Sequence, residues 1–265
     1  MIVCCDNVNK DDVLRYIGED YPQCLYLYLD IIQYGCSSET TRTWLQYKEG
    51  KISAVALSYH TAMHIFSRNN IFELQEIIDL VKENNPTIII SSAETIKIME
   101  PLFTESGFLS EFGHVGEWSG STSLIEENDV VEAEAKDIPE IARMLYEDED
   151  IGASYVYEDL LKQMKERLDQ GFVRSYVIRK EGKAVAHVGT GAETKDVCTI
   201  AYTITSSNYR GQGMARRLYT QACETLKKEG KRIFSVYYPE SARIFHHKVG
   251  FVDVCECGKL FKIVE

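Results

Sequence analysis

The sequence predicts an α/β (α+β) protein made of two tandem copies of one fold, each a mixed, largely antiparallel sheet flanked by helices. Two repeated features predict the duplication. The tetrapeptide KEGK occurs at residues 48–51 and 180–183, each time between two strand-like runs, as in a hairpin with a glycine turn. A Gly-Phe pair occurs at residues 107–108 and 250–251, each time after a helix-like segment. Two echoes in the same order indicate a repeated architecture.

The first copy continues from its hairpin into a helix and then a strand. Asn70 is the expected N-cap of the helix, because Glu73 follows three residues later, as in a capping box. Pro86 then introduces a strand-like run at residues 87–90. Apolar residues recur at helical spacing and define the buried face of this helix: Leu74, Ile77, Ile78 and Val81.

The second copy has the same order of elements. Asp137 is the expected cap of its first helix, with Glu140 three residues on. Strands are predicted at residues 199–204 and 233–237, and Gly230 ends the helix between them. The buried face of that helix is predicted to consist of Met214, Leu218, Ala222 and Leu226.

The spacing of the two echoes shows where the copies differ. The KEGK repeats are offset by 132 residues (180 − 48) and the Gly-Phe pairs by 143 residues (250 − 107). The 11 extra residues fall between the strand and the helix of the second copy. Between the copies, a Gly/Ser/Thr segment at 119–123 and an acidic segment at 126–129 predict a linker. The expected domains are therefore residues 1–124 and 128–265.

Charge is distributed unevenly between the halves. The net charge is -12, and residues 1–127 hold 8 Lys+Arg against 19 Asp+Glu, whereas the remainder holds 21 against 22. An acidic field repels phosphate backbones and attracts cations. Nucleic acid is therefore not expected as a partner. An amine substrate is mildly favoured, although acidity that serves solubility alone is an equal alternative.

The bulk sequence also limits location and metal chemistry. No apolar run approaches the ~20 residues that cross a bilayer, and the first ten residues lack a signal-peptide pattern. We therefore expect a cytoplasmic protein without a membrane partner, its oligomeric state left open. The eight cysteines are dispersed and expected to be reduced. No second Cys/His pair stands at zinc-finger spacing from the closest cysteine pairs, so no metal site is expected.

The connection between strand and helix in the second copy carries the candidate chemistry. It places Arg210, Gly211 and Gly213 directly before the helix. Two glycines let successive backbone N–H groups point into one concavity, where the helix dipole adds partial positive charge. Such a site holds a pyrophosphate, and Arg210 would add a permanent charge at its mouth. The same residues also suit a plain tight turn, so the loop alone leaves both interpretations open.

The context of this loop resembles a known family. Residues 209–218, YRGQGMARRL, resemble the acetyl-CoA signature of the GNAT superfamily, Arg/Gln-x-x-Gly-x-Gly/Ala, between a strand and an amphipathic helix. A second family landmark, a helix that ends in Gly-Phe, is matched by residues 242–251. The resemblance covers residues 130–265. It implies a GNAT domain that takes acetyl-CoA as co-substrate, with the pantetheine arm in a V-shaped gap between two parallel strands.

The resemblance also implies which residues contact acetyl-CoA. The first strand of the gap would end at Ile204 and Thr205, whose main chain would pair with the pantetheine arm as an added strand would. Backbone amides would hold the pyrophosphate beside Arg210. These amides belong to the loop and the first helical turn, at Gly211, Gln212, Gly213, Met214 and Ala215.

Direct transfer is the chemistry that the resemblance implies: a neutral amine attacks the thioester, a base takes its proton, and an acid protonates the departing thiolate. The family's tyrosine acid falls here on His246, with Pro239 where an asparagine is common. A histidine can donate a proton, so His246 is the candidate acid. An exposed helix histidine without a catalytic role is the equal alternative, and a shift of one residue would place Phe245 there instead.

The base is less clearly marked. Glu193 is the candidate base, because it precedes the strand that carries the signature. Asp196, Tyr202 and His187 are further possibilities, and for each of them a structural role is the alternative.

The first copy resembles the same fold only faintly. Its loop at residues 67–70 contains no glycine, so the same backbone nest is not expected there. We therefore interpret it as a degenerate GNAT-like domain that shapes the substrate cleft, or as a structural cap. An unrelated α/β domain stays open.

The expected function is an acetyltransferase that moves the acetyl group of acetyl-CoA to a primary amine of a small molecule. A peptide or protein N-acetyltransferase on the same scaffold is one alternative. A CoA-binding sensor without turnover is another, because the family's asparagine and tyrosine are absent.

Overall fold

The computed structural model describes residues 1–6, 9–120, 129–148, 152, 156–171 and 173–262. The chain forms two compact units. Unit 1 consists of Met1–Val115, Tyr237–Glu240 and Asp253–Glu265, and unit 2 consists of Gly116–Val236 and Ser241–Val252. Among the described residues, no helix is long and apolar enough to cross a membrane.

Strands and helices alternate along most of the chain. The strands are β1 (Ile2–Cys5), β2 (Thr41–Lys48), β3 (Lys51–Tyr59), β4 (Ala62–Phe66), β5 (Ile88–Ser92), β6 (Phe108–Trp118), β7 (Val130–Glu132), β8 (Ser175–Lys180), β9 (Lys183–Glu193), β10 (Val197–Thr205), β11 (Arg232–Tyr237) and β12 (Phe251–Lys262). The helices are α1 (Lys10–Ile17), α2 (Leu25–Tyr34), α3 (Leu74–Asn84), α4 (Ala93–Phe103), α5 (Ile138–Tyr146), α6 (Tyr157–Asp169), α7 (Met214–Lys228) and α8 (Glu240–Lys248).

The sheet of unit 1 runs in the order β1, β2, β3, β4, β5, β12. Its neighbours are antiparallel except for the parallel pair β4 and β5. The last strand, β12, pairs with β5 from Cys257 opposite Ser92 to Phe261 opposite Ile88. The predicted ranges 1–124 and 128–265 therefore differ from the two units, because this pairing brings the C-terminal strand into the sheet of unit 1. The predicted linker falls mostly on residues 121–128, outside the described residues.

The sheet of unit 2 runs in the order β7, β8, β9, β10, β11, with only β10 and β11 parallel. Successive strand residues face opposite sides, so Tyr176 and Ile178 pack on the α7 side while Val177 packs on the side of α5 and α6. The predicted apolar stripe of α7 is confirmed. All four of its residues are at most 2% exposed: Met214, Leu218, Ala222 and Leu226.

The two KEGK hairpins have matching backbones. Glu49 and Gly50 have φ of 51° and 75°, and Glu181 and Gly182 have φ of 53° and 80°. Two positive φ angles in a two-residue turn are typical of type I′, which suits the right-handed twist of paired strands. Both hairpins also shift register at equivalent positions, after Gln46 in β2 and after Ile178 in β8. The predicted hairpins and their repetition are confirmed.

Two predicted helix starts need correction. Helix α3 begins at Leu74 with Glu73 as its N-cap, whereas Asn70 lies in a separate 3₁₀ turn. Asn70 does not cap the helix because its side chain is bound to α4 (described below). Helix α5 begins after Asp137 as predicted, but the Asp137 carboxylate accepts the N–H of Glu134 at 2.7 Å and pairs with Arg179 instead of capping α5.

Candidate functional site

The parallel strands β10 and β11 separate in the middle of unit 2. They pair over three residues, from Val197 opposite Arg232 to Thr199 opposite Phe234. At the point of separation, the hydroxyl of Ser235 donates a hydrogen bond to the carbonyl of Ile200 at 3.2 Å. Strand β10 continues to Thr205. Its edge on the β11 side therefore runs along the gap between the two strands.

A β-bulge interrupts β10 beside this gap. The register with β9 shifts between Ala201 and Ile204, and Tyr202 has a φ of 56°. A left-handed tyrosine is uncommon and needs support from its surroundings. His187 supplies it, because its Nδ1 donates to the carbonyl of Tyr202 at 2.7 Å. The bulge re-aims the following residues, so that Thr203 points to α7 and Ile204 packs among α5 and α6.

The loop after β10 has the backbone that the sequence predicted. Gly211 and Gly213 have φ of 76° and 74°, and Gly213 is the N-cap of α7. No side chain of the described residues caps this helix start. A Cβ at Gly211 would meet no atom within 4 Å. The first N–H groups of α7 thus have no side-chain cap among the described residues and lie at the positive end of the helix dipole, an arrangement that fits a pyrophosphate.

Arg210 lies beside this nest and is held by the end of β10. Its Nε donates to the carbonyl of Thr205 at 3.0 Å, and its Nη2 pairs with Asp148 Oδ2 at 3.0 Å. Of the other predicted contact residues, Gln212 is exposed and Met214 is buried in the core under α7. The contacts predicted for these two residues and for Ala215 are made by their backbone amides, so they do not depend on where the side chains lie.

His246 is placed differently from either expectation. It is 7% exposed, which corrects the alternative of an exposed histidine. Its Nδ1 lies 2.7 Å from the carbonyl of Ala242, so Nδ1 carries the proton and Nε2 is the acceptor. Nε2 lies 2.9 Å from the hydroxyls of both Tyr219 and Ser235. Burial lowers the pKa of His246 to about 4, so at neutral pH the imidazole has no proton on Nε2 to donate.

Glu193, the predicted base, is engaged by two cations. Its carboxylate pairs with Arg174 at 2.8 Å and with Lys231 at 3.4 Å. Glu193 lies opposite Cys198, where β10 and β11 are still paired, and not at the gap. Both ion pairs occupy the carboxylate, so this geometry favours a structural role, and the role of Glu193 as base stays a prediction.

The structure adds residues that the sequence did not single out. Thr203 donates to the hydroxyl of Tyr219 at 3.0 Å, and Tyr219 is the partner of His246. Burial raises the pKa of Tyr219, so it stays a neutral phenol. The only sequence signal was that Tyr219 follows Leu218 on the helix next to the predicted stripe. The hydrogen-bonded chain joins β10, α7, α8 and β11 around the start of the gap.

Unit 1 has a corresponding strand separation. Strands β4 and β5 also pair over three residues, and Ser91 donates to the carbonyl of Ile65 at 2.6 Å. Strand β4 then ends at Phe66. In the following loop Asn69 and Asn70 have φ of 58° and 54°. Asparagine tolerates left-handed backbone better than most residues, so the absence of glycine was not a sufficient reason to exclude a nest there.

Side chains bridge the unit 1 loop to α4. Asn70 donates through Nδ2 to Glu94 at 2.7 Å and accepts the hydroxyl of Thr95 at 2.7 Å. Beside this bridge lies a polar cavity of about 400 Å³. An ion pair between Arg68 and Asp20 lines it. The side chain of Asn70 is therefore held against α4 by hydrogen bonds within unit 1.

A family comparison covers most of unit 2. Residues 138–251 match the model of the acetyltransferase (GNAT) family. This range begins with α5, includes the nest and ends at the first residue of β12. A search of curated proteins found no match. The predicted GNAT domain in the C-terminal half is confirmed.

Solved structures resemble the chain over its whole length. An acetyltransferase of the GNAT family from Colwellia psychrerythraea has a TM-score of 0.62 at 12% identity, with 100% of each chain covered. A Drosophila protein has a TM-score of 0.70 at 9% identity, covering 99% of this chain and 98% of its own. A tandem GNAT protein from the clavulanic acid biosynthesis pathway, solved without AcCoA, has a TM-score of 0.55 at 10% identity, with 98% and 97% covered. These likenesses confirm the predicted fold class.

Proposed function

Since residues 138–251 form a domain of the GNAT acetyltransferase family, we propose that this protein transfers the acetyl group of acetyl-CoA to a primary amine of a small molecule. One observation carries the proposal: β10 leaves its parallel partner and leads directly into a glycine nest at the start of α7. The strand edge suits an extended amide-containing arm, and the nest suits a pyrophosphate. Both are parts of acetyl-CoA.

Each part of the proposed site has a separate task. The main chain at Ile204 and Thr205 pairs with the pantetheine arm, and the amides from Gln212 to Ala215 bind the pyrophosphate. Arg210 can add charge at the mouth of the nest if it exchanges Asp148 for a phosphate. Direct attack by a neutral amine forms no acyl-enzyme. The site therefore accelerates the reaction by holding the thioester and the amine next to each other.

A charge placed in the nest tests the acetyl-CoA site. Gly211→Asp and Gly211→Asn both tolerate left-handed backbone and meet open space, so they differ mainly in one negative charge. We expect calorimetric titration to give micromolar or tighter binding for the wild type. Gly211→Asp should bind about a hundredfold more weakly than Gly211→Asn, because a carboxylate repels the pyrophosphate.

The matched control is Gly182→Asn, which places the same side chain at a left-handed glycine in the hairpin between β8 and β9. It should bind acetyl-CoA as the wild type does. Absence of acetyl-CoA binding by folded wild type would remove the proposal, and equal binding by the Asp and Asn variants would place the pyrophosphate elsewhere.

The geometry of His246 favours a second candidate function, acyl-CoA binding without transfer. Its Nε2 is an acceptor within a buried chain, so it supplies no proton to a thiolate in this protonation state. A thiol-release assay over a panel of amines separates the two functions. Turnover above the hydrolysis rate supports the transferase, and tight acetyl-CoA binding without turnover on any amine supports the sensor.

A further inference from the structure

The side chain of Arg217, on the first turn of α7, connects the nest loop to the residue before β7. Its Nη1 donates to the carbonyl of Gln212 at 3.1 Å. Its Nε and Nη2 donate to the two carboxylate oxygens of Asp129, each at 3.1 Å. The Arg217 side chain is only 14% exposed. One mostly buried, planar group therefore holds a carbonyl of the nest loop and a carboxylate that lies 88 residues away along the chain.

The sheet of unit 2 fixes Asp129 in position. Asp129 directly precedes β7, which pairs with β8. Val130, the first residue of β7, packs against the core under α7, which includes Leu218. Lys180, at the end of β8, lies 3.9 Å from the Asp129 carboxylate. The carboxylate is thus held beside α7 by a paired strand and by a second cation, so it gives Arg217 a fixed partner.

The hydrogen bond from Arg217 to Gln212 sets the direction of the next backbone amide. The carbonyl of Gln212 and the N–H of Gly213 belong to one trans peptide group. In such a group the carbonyl and the N–H point in opposite directions. Because the carbonyl is turned to the guanidinium, the N–H of Gly213 points away from it. Gly213 is the N-cap of α7, so Arg217 orients an amide on which the proposed pyrophosphate site depends.

The glycines of the nest allow its conformation but do not select it. Gly211 and Gly213 have φ of 76° and 74°, and glycine populates positive and negative φ about equally well. A loop that becomes ordered only when its ligand binds loses conformational entropy at that moment, which weakens binding. A side chain that already holds the loop in the free protein removes this loss. The contact between Arg217 and Gln212 does this for the nest.

The charge of Arg217 is matched within the protein. Two parallel charge-assisted hydrogen bonds join its guanidinium to Asp129, and its remaining terminal nitrogen is bound to the loop. Arg210 differs, because its side chain is 58% exposed and forms a single ion-pair contact with Asp148. Arg217 is therefore suited to hold the loop, whereas Arg210 is suited to meet a phosphate.

We propose that Arg217 is a positioning residue of the acetyl-CoA site. It holds the nest loop in its binding conformation, and Asp129 holds Arg217. This inference rests on the proposed function, because it assumes that the nest binds acetyl-CoA. It also makes the affinity depend on Asp129, which lies outside the residues 138–251 that match the family.

Two substitutions of Arg217 separate positioning from charge. Calorimetric titration with acetyl-CoA is carried out on the wild type, Arg217→Met and Arg217→Lys. We expect Arg217→Met to raise the Kd about tenfold, because the loop is then no longer held. Arg217→Lys should raise it by a similar factor, since one ammonium cannot form the fork and reach Gln212 at the same time. Wild-type affinity in Arg217→Lys would show that the charge alone is needed, and would overturn the proposal.

Asp129→Asn tests the partner of Arg217 with a milder change. It keeps the shape of the side chain but removes its charge, so we expect it to raise the Kd about threefold. The double variant Asp129→Asn/Arg217→Met should bind no more weakly than Arg217→Met alone, because both residues act through one contact. An unchanged Kd in Asp129→Asn, or losses that multiply in the double variant, would overturn the role of Asp129. This variant also carries the test if Arg217→Met does not fold.

The matched control is Lys227→Met, which removes an exposed cation from the last turn of α7, about 20 Å from the nest. It should bind acetyl-CoA as the wild type does. Urea denaturation shows that each variant is folded at the assay temperature, where lost stability alone does not change the Kd. A folded wild type that does not bind acetyl-CoA would overturn the proposed function and this inference with it. Equal binding by the wild type and Arg217→Met would overturn this inference alone.

Discussion

In each unit, one described parallel strand pair separates beside a serine that donates to the first strand, and the two pairs then differ. In unit 1, β4 and β5 part after His64 and Ile90, and Ser91 donates to a carbonyl of the first strand. In unit 2, β10 and β11 part after Thr199 and Phe234, and Ser235 does the same. Beyond the last pair, β4 runs two more residues and β10 six. The gap belongs to the shared fold, whereas the length of free strand edge is specific to unit 2.

The loops that follow show the second difference. Both contain two left-handed residues, asparagines in unit 1 and glycines in unit 2. The side chain of Asn70 is bound by Glu94 and Thr95, whereas no side chain of the described residues caps the start of α7 at Gly213. Backbone shape alone therefore does not make a binding site. The N–H groups must also remain unmatched by the protein's own side chains.

The largest expected effect comes from placing the same charge in both loops. Asn69→Asp adds a carboxylate to the exposed loop of unit 1, as Gly211→Asp does to unit 2. We expect Asn69→Asp to change the Kd for acetyl-CoA by less than about twofold. Gly211→Asp should raise it about a hundredfold, which is about 2.7 kcal/mol. Calorimetry also gives the stoichiometry, expected to be one. A second site, or weakened binding in Asn69→Asp, would break the comparison.

The next largest effect concerns stability in acid. Among the described residues, unit 1 holds one buried histidine with a lowered pKa and unit 2 holds two. Burial lowers the pKa of His64 in unit 1, and of His187 and His246 in unit 2, to about 4. In the unfolded chain these histidines take up a proton near pH 6.5, whereas in the folded protein they do so only near pH 4. The free energy of unfolding therefore has its full value above pH 6.5 and falls as the pH drops towards 4. At pH 5 each histidine lowers it by about 2 kcal/mol. Unit 2 should therefore open first in acid, as measured by hydrogen exchange.

His246→Gln sharpens this prediction. Removing the titrating group should flatten the pH dependence of the free energy of unfolding by about 2 kcal/mol between pH 7 and pH 5. The neighbouring His247 is exposed, and His247→Gln is the matched control for replacing a histidine by glutamine on α8. An unchanged slope in His246→Gln would show that the buried imidazole is not the group that titrates.

The smallest expected effect tests whether Ser91 and Ser235 play the same structural part at the two strand separations. Ser91→Ala and Ser235→Ala each leave a buried carbonyl without its donor, so each should lower the free energy of unfolding by about 1 kcal/mol. Urea denaturation measures both, with the exposed Ser207→Ala as control. A loss in only one of the two would mean that the serines do not play a common part in opening the gap.

Local features of the site were predictable from the sequence. The glycines of the nest, the turns of both hairpins and the stripe of α7 follow from φ preference and helical spacing, and all were confirmed in the structure. Features that join distant segments were not predictable. Arg210 pairs with Asp148, 62 residues away, and Tyr219 with His246, 27 residues away. No spacing rule connects such residues, because their distance depends on how helices and strands pack.

The sequence by itself determined the repeated hairpins, the apolar stripe of α7 and the glycine nest, since each depends on residues that are neighbours along the chain. Only the tertiary structure decided that β12 completes the sheet of unit 1, that His246 is a buried acceptor and that Arg217 joins Asp129 to the nest loop. The physical reason is that backbone preference acts within a few residues, whereas burial, protonation and ion pairing depend on which segments the core brings together.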